Sequence, residues 1–225
     1  MDIRKTVNDL IAYITDGTPI SQVLLKAQIV AFNVGDEYFK RLIKSEQEGY
    51  TSEDELPSCR KQKCMVEATV VIPFQDTQTI EVHTEVIEDE RIKELMSHAF
   101  IREPLVQLEA MYNNAGKDML RIQLPTFAYP VIKDLYKGFN GQIHSAYQCF
   151  PKESILSIVD TFKSKLLDLL LRFDKELDWN IELSDSRNRT KAQTIIYNAY
   201  NINAAVANTG GGTIETKNID IDTRK

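Results

Sequence analysis

ILSIVDTFKSKLLDLLLRFDKEL, residues 155–177, is the longest periodic stretch in the chain. Ile155, Ile158, Val159, Phe162 and Leu166 recur at helical spacing, and Leu169, Leu170, Phe173 and Leu177 continue the stripe. Leu167 and Leu171 widen it. A stripe this wide must be covered from two sides, so the segment is expected to be the central helix of the fold. Asp168 and Arg172 form an i, i+4 pair on its surface. Asp160, Lys163, Lys165 and Asp168 break the run well short of the ~18 apolar residues of a membrane span.

Upstream lie the elements that could cover it. Ile3, Val7, Leu10, Ile11 and Ile14 predict a helix over residues 3–15, stopped by Asp16-Gly17-Thr18-Pro19. Val23, Leu24, Ala27, Val30, Ala31 and Val34 predict a second, with Gly35 as its left-handed exit. Asp36 is the N-cap of a third, which points Phe39, Leu42 and Ile43 inward. Then the texture changes. MVEATVVIPF (65–74) and TIEVHTEVI (79–87) alternate and read as strands. EDERIKELMSHAF is helical, with its acids in the first turn. Pro104 opens a helix, residues 119–124 form a short strand, and a helix follows near Pro130. In GQIHSAYQCF, Ile143, Ser145, Tyr147 and Cys149 alternate as a further strand.

The expected fold is α+β: a helical N-terminal unit, a small mixed or antiparallel sheet, a long central C-terminal helix, then a β-rich tail hairpin. The chain divides into residues 1–180 and 181–225. In the second part SDSRNRTK reads as a polar linker, and the remainder alternates around Gly210-Gly211-Gly212 like a hairpin. A lone hairpin is marginal in water. Its apolar residues Ile195, Ile196, Tyr197, Ile202, Val206 and Ile214 are therefore expected to add to the edge of another copy, or the tail stays unpaired.

Composition excludes several classes. Of 225 residues, 43% are hydrophobic and 27% charged, an ordinary globular balance. A net charge of −6 provides no overall field for nucleic acid. Arg187, Arg189 and Lys191 give only a small basic foothold, so nucleic acid is not expected as a partner. The N-terminus carries charges throughout and has no signal-peptide core. Three cysteines, an odd number, fit a reducing compartment, and the protein is expected to be cytoplasmic, with no membrane association.

Motifs for chemistry are sparse. Cys59 and Cys64 lack the paired spacing and further ligands of a zinc site, so no metal is expected. No phosphate-binding glycine motif occurs, and no cofactor is expected. No nucleophile motif of known type is present. His83 and Glu85 share one strand face and offer a weak acid-base or metal pair; the plainer reading is the wet side of a sheet.

The segment LLKAQIVAFNVGDEYFKRLIKSEQEGYTSEDELPSCR, residues 24–60, combines a Gly-Asp turn, a Glu-x-x-Gly-Tyr helix ending and a Leu-Pro-x-x-Arg. Leu25, Gly35, Asp36, Phe39, Glu46, Gly49, Tyr50, Leu56, Pro57 and Arg60 carry this pattern. Together with the long helix 155–177, it resembles the AbiTii domain family. The family tends to hold tryptophan, tyrosine and arginine where Leu42, Cys59 and Lys163 stand here. The resemblance implies a bacterial abortive-infection system against phage, with a protein partner from the same operon. Within that frame two readings stand. One is a non-enzymatic sensor, adaptor or oligomerising module. The other is a toxin-like effector enzyme such as a nuclease, built on Glu46, Glu48 and Arg60 or on His83 and Glu85. Physically, Gly49 suits a left-handed helix exit, Tyr50 folds back, Pro57 stiffens the approach, and Arg60 is placed to pair with Glu46 or Glu48. No residue is assigned a catalytic role.

Overall fold

The computed structural model describes residues 2–73, 76–116, 118–136, 141–181, 183 and 185–200. Three helices come first: α1 (Ile3–Thr15), α2 (Ile20–Val34) and α3 (Glu37–Glu48). Asp2 and Asp36 cap α1 and α3, each accepting a hydrogen bond from the backbone N–H three residues on. Gly35 closes α2 with φ +74° and ψ 14°, the left-handed exit expected. The start of α2 has no side-chain acceptor in its capping residue, because Pro19 precedes it. Glu109, 89 positions away on another helix, supplies one: its carboxylate accepts from Ile20 N–H at 3.2 and 3.3 Å.

A 3-10 turn (Ser58–Arg60) leads into β1 (Lys61–Lys63), β2 (Met65–Val71) and β3 (Gln78–Val82). Then come α4 (Glu90–Ser97), β4 (His98–Phe100), α5 (Leu105–Asn114), β5 (Met119–Gln123), α6 (Ala128–Leu135) and β6 (Gln142–Pro151). The chain finishes with α7 (Glu153–Glu176) and α8 (Ser186–Tyr200). The main sheet is antiparallel in the order β3-β2-β6-β5, and β1 pairs with β4 alone. The architecture is thus α+β, eight helices with a small antiparallel sheet among the described residues.

α7 is central, as its stripe requires. α1, α5 and α8 pack against it, and its residues from Ile155 to Phe173 join the principal core with those of α2 and α3. A second core sits under one face of the sheet, where Val66, Ala68 and Ala146 meet Met96 of α4 and Ala128 and Ile132 of α6. Gln148, buried on β6 where the two cores meet, donates from Nε2 toward the carbonyls of Leu95, Met96 and His98 at 2.8–3.2 Å. It satisfies acceptors that the end of α4 leaves open.

Three expectations are corrected. The segment 79–87 is strand only to Val82, and a 3-10 turn (Thr84–Val86) follows. Val82 and Ile87 are both buried, five positions apart, which an alternating strand cannot achieve; the turn restores the phase. In β6 the register shifts between Thr69 and Val70: Thr69 faces Ser145 while Val70 faces Ile143. His144 is the extra residue of a bulge, so Ile143 joins the second core on the opposite face from Ser145 and Tyr147. Finally, the stretch read as linker and hairpin start is helical through Tyr200. Asn188, Ala192, Ile195 and Ile196 are buried at helical spacing. Asn188 anchors the helix by accepting from Asp178 N–H at 3.0 Å and donating to Asp178 O at 2.8 Å. Ile195 and Ile196 therefore belong to the chain's own core, not to a free edge. Ile202, Val206, Ile214 and the glycine turn lie outside the described residues.

Candidate functional site

The residues of the Glu-x-x-Gly-Tyr and Leu-Pro-x-x-Arg motifs converge. Glu46 lies in the last turn of α3 and faces inward, 3% exposed. Gly49 ends the helix with φ +90° and ψ 175°, a region open only to glycine. This is not the left-handed exit expected; it is a sharper departure forced by close approach. A Cβ here would stand 2.8 Å from Arg102 O and 3.1 Å from the Pro104 ring. The same approach lets Tyr50 N–H donate to Arg102 O at 2.8 Å. Tyr50 then turns back, and its hydroxyl donates to Glu46 Oε1 at 2.6 Å.

Pro57 starts the 3-10 turn by accepting from Arg60 N–H at 2.8 Å, and that turn swings the Arg60 side chain into the interior. Arg60 is fully buried, the largest such side chain. Its Nη2 donates to Glu46 Oε2 at 2.5 Å. Its Nη1 donates to Ile101 O at 3.1 Å and Glu103 O at 2.8 Å. The guanidinium carbon lies 4.6 Å from the centre of the Tyr50 ring, a cation–π contact. One arginine thus ties α3, the 3-10 turn and the segment between β4 and α5 together. Glu48 takes no part; it lies at the surface, 3.8 Å from Lys44.

Electrostatics follow from burial. Desolvation, reinforced by the Glu46 charge and hydrogen bond, holds the Tyr50 phenol well above the usual tyrosine range. Burial chiefly, with Asp36 and Glu55 nearby, raises Tyr38. Tyr200, at the end of α8, is raised by burial and by Tyr38, whose ring centre is 6.2 Å away. Burial likewise pushes the Cys59 thiol up, and Cys64 is pushed up to about 12. These thiols are protonated at neutral pH, unlike a reactive thiolate.

Chemically, this is a lock. Both Glu46 oxygens are engaged and Arg60 spends Nη1 and Nη2 on protein acceptors, so the pair offers no open carboxylate. The acidic run Glu53-Asp54-Glu55 beside it is a solvated loop: Glu53 and Glu55 are exposed, while Asp54 accepts from Thr51 N–H and Oγ1. His83 and Glu85 are exposed on the 3-10 turn after β3, away from this lock, instead of sharing a strand face. Among the described residues no three His, Cys, Asp or Glu side chains are grouped to hold a metal ion. A pocket of about 70 Å³ near α5 is lined mainly by apolar side chains, among them Ile101, Leu108, Phe150 and Ile155. Two parts of the lock escaped sequence reasoning, the carbonyls of Ile101 and Glu103. Their only trace is Pro104, which holds that segment extended ahead of α5.

The AbiTii family model matches residues 5–198, from the first helix to near the end of α8. The chain belongs to the AbiTii family. The match takes in α8, in keeping with its place in the principal core. AbiTii membership implies a setting in abortive infection against phage. No curated protein and no solved structure matches the chain. No helix among the described residues is long and apolar enough to cross a membrane.

Proposed function

We propose that this AbiTii protein works within abortive infection as a non-enzymatic module, a sensor, adaptor or oligomerising component. The observation that carries the reading is the engagement of its most distinctive motif. Glu46 spends both oxygens on Tyr50 and Arg60, Arg60 spends Nη1 and Nη2 on Glu46 and two backbone carbonyls, and the Glu46–Arg60 pair is buried. A catalytic carboxylate must reach its substrate proton or metal; this one is held by two protein donors. The motif's chemistry serves to fix the junction of three segments, and function then resides on the surface that this junction shapes. A protein encoded beside it is the natural partner in this reading, in addition to other copies of the chain.

The effector-enzyme alternative makes an opposite claim about the same atoms. Cells carrying the gene, with and without its genomic neighbours, are challenged with phage, and purified protein is incubated with DNA and RNA. The expected result is protection only in company of the neighbours, with no nucleic-acid cleavage. Cleavage that follows the protein through purification, and that Glu46→Gln or His83→Ala reduces, overturns the proposal.

A further inference from the structure

α2 is apolar on nearly every side. Val23, Leu24, Ala27, Val30, Ala31 and Val34 fill the core face. Yet its opposite face carries Leu25, Ile29 and Phe32, which are 60%, 38% and 74% exposed. These three lie at i, i+4 and i+7 and make a continuous stripe. Gln22 and Gln28 are the exposed residues between and beside them. In fifteen residues the helix has a single charge, Lys26, and that charge is paired with Asp9 of α1 at 3.1 Å. A helix that is hydrophobic all round is normally covered on all sides.

We infer that this stripe is the seam of a homodimer in which α2 packs antiparallel against α2 of a second copy. Charge favours a second copy over a charged partner. The chain carries a net −6, so most faces of two copies repel each other. The stripe is the exception. The charges beside it are paired within the chain: Lys26 with Asp9, and Lys40, whose ammonium lies 5.7 Å from the centre of the Phe32 ring, with Glu37. Two such surfaces meet without bringing unbalanced like charges together. An antiparallel crossing at Gln28 and Ile29 sets Leu25 of one copy against Phe32 of the other, so each exposed side chain gains an apolar partner. The twofold arrangement closes the assembly at two copies. A 15-residue helix is roughly 22 Å long, and a seam along it buries less than the ~800 Å² per partner of a standard interface. The dimer is therefore reversible and concentration-dependent. This inference stands apart from the proposed function: a dimer through α2 serves an enzyme as well as an adaptor.

The full chain is examined by sedimentation velocity from low to high micromolar concentration. Wild type is expected to move from monomer toward dimer as concentration rises. Phe32→Glu and Leu25→Lys should each remain monomeric with an unchanged melting temperature, because both side chains are exposed. Mixing the two variants should restore a heterodimer, since the new glutamate and lysine face each other only in the antiparallel arrangement. A wild type that stays monomeric throughout, or a dimer untouched by either substitution, overturns the inference. So does a mixture that fails to associate.

Discussion

Replacing Arg60 with alanine tests whether the Glu46–Arg60–Tyr50 lock holds the fold. The substitution removes a guanidinium that is fully buried and leaves Glu46, 3% exposed, with only the Tyr50 hydroxyl as partner. Breaking a buried ion pair by removing one member typically costs about 3–5 kcal/mol, because the remaining charge is left uncompensated. The carbonyls of Ile101 and Glu103 lose a donor as well. Each stranded buried acceptor costs about 1–3 kcal/mol on its own. These losses share one network and are not additive, so about 3–5 kcal/mol is the working figure. For a domain of this size that corresponds to a fall in melting temperature of roughly 6–20 °C. Arg60→Ala is followed by circular dichroism melts beside the double variant Glu46→Leu/Arg60→Met, which removes both charges. The double variant should be more stable than Arg60→Ala, since no unpaired charge remains. A melting temperature within about 2 °C of wild type for Arg60→Ala would refute the reasoning. Loss of phage protection with stability intact would move the arginine from architecture to function.

Gly49→Ala should cost at least about 1–3 kcal/mol through its positive φ alone, with the approach to Arg102 O adding to it; the urea midpoint checks this. Tyr50, Tyr200 and Tyr38 are all raised by burial, so their contribution to stability is complete below the unfolded tyrosine value of about 10 and is lost as pH rises through their folded values. Stability should thus fall above about pH 10, and the share of the tyrosinate absorbance that comes from these three side chains should appear together with unfolding, not ahead of it. Ile196→Ala should lower stability by about 2–5 kcal/mol, because Ile196 is fully buried between α8 and the core. Its sedimentation should remain that of wild type; a change in assembly with stability intact would return Ile196 to a role in subunit contact.

The legible parts of the fold were those with long periods or firm punctuation. α7 repeats its apolar pattern over 24 residues, long enough to exclude any other reading. The Arg60–Glu46 pair could be anticipated because Gly49 and Pro57 fix where the chain turns between them. What escaped notice shares one cause, a polar or small residue doing a core residue's task. α8 is anchored by Asn188 and packs Ala192, so its helical spacing was visible only over Ile195 and Ile196, which read equally as a strand. The bulge at His144 shifts Ile143 by one face, and no side-chain pattern within β6 marks it. Residues 79–87 looked like alternation because Val82 and Val86 share a phase, yet Val86 is exposed and Ile87 is buried.

The carboxylate that satisfies the first turn of α2 belongs to a residue 89 positions later in the chain. During synthesis, at about 5–20 residues per second, roughly 4–18 s pass between the making of Ile20 and the arrival of Glu109. Through that interval the opening helices have neither their final acceptor nor α7 to rest on, and their apolar sides stay uncovered. The α1–α2 pair therefore takes its final place only after α5 and α7 have been made.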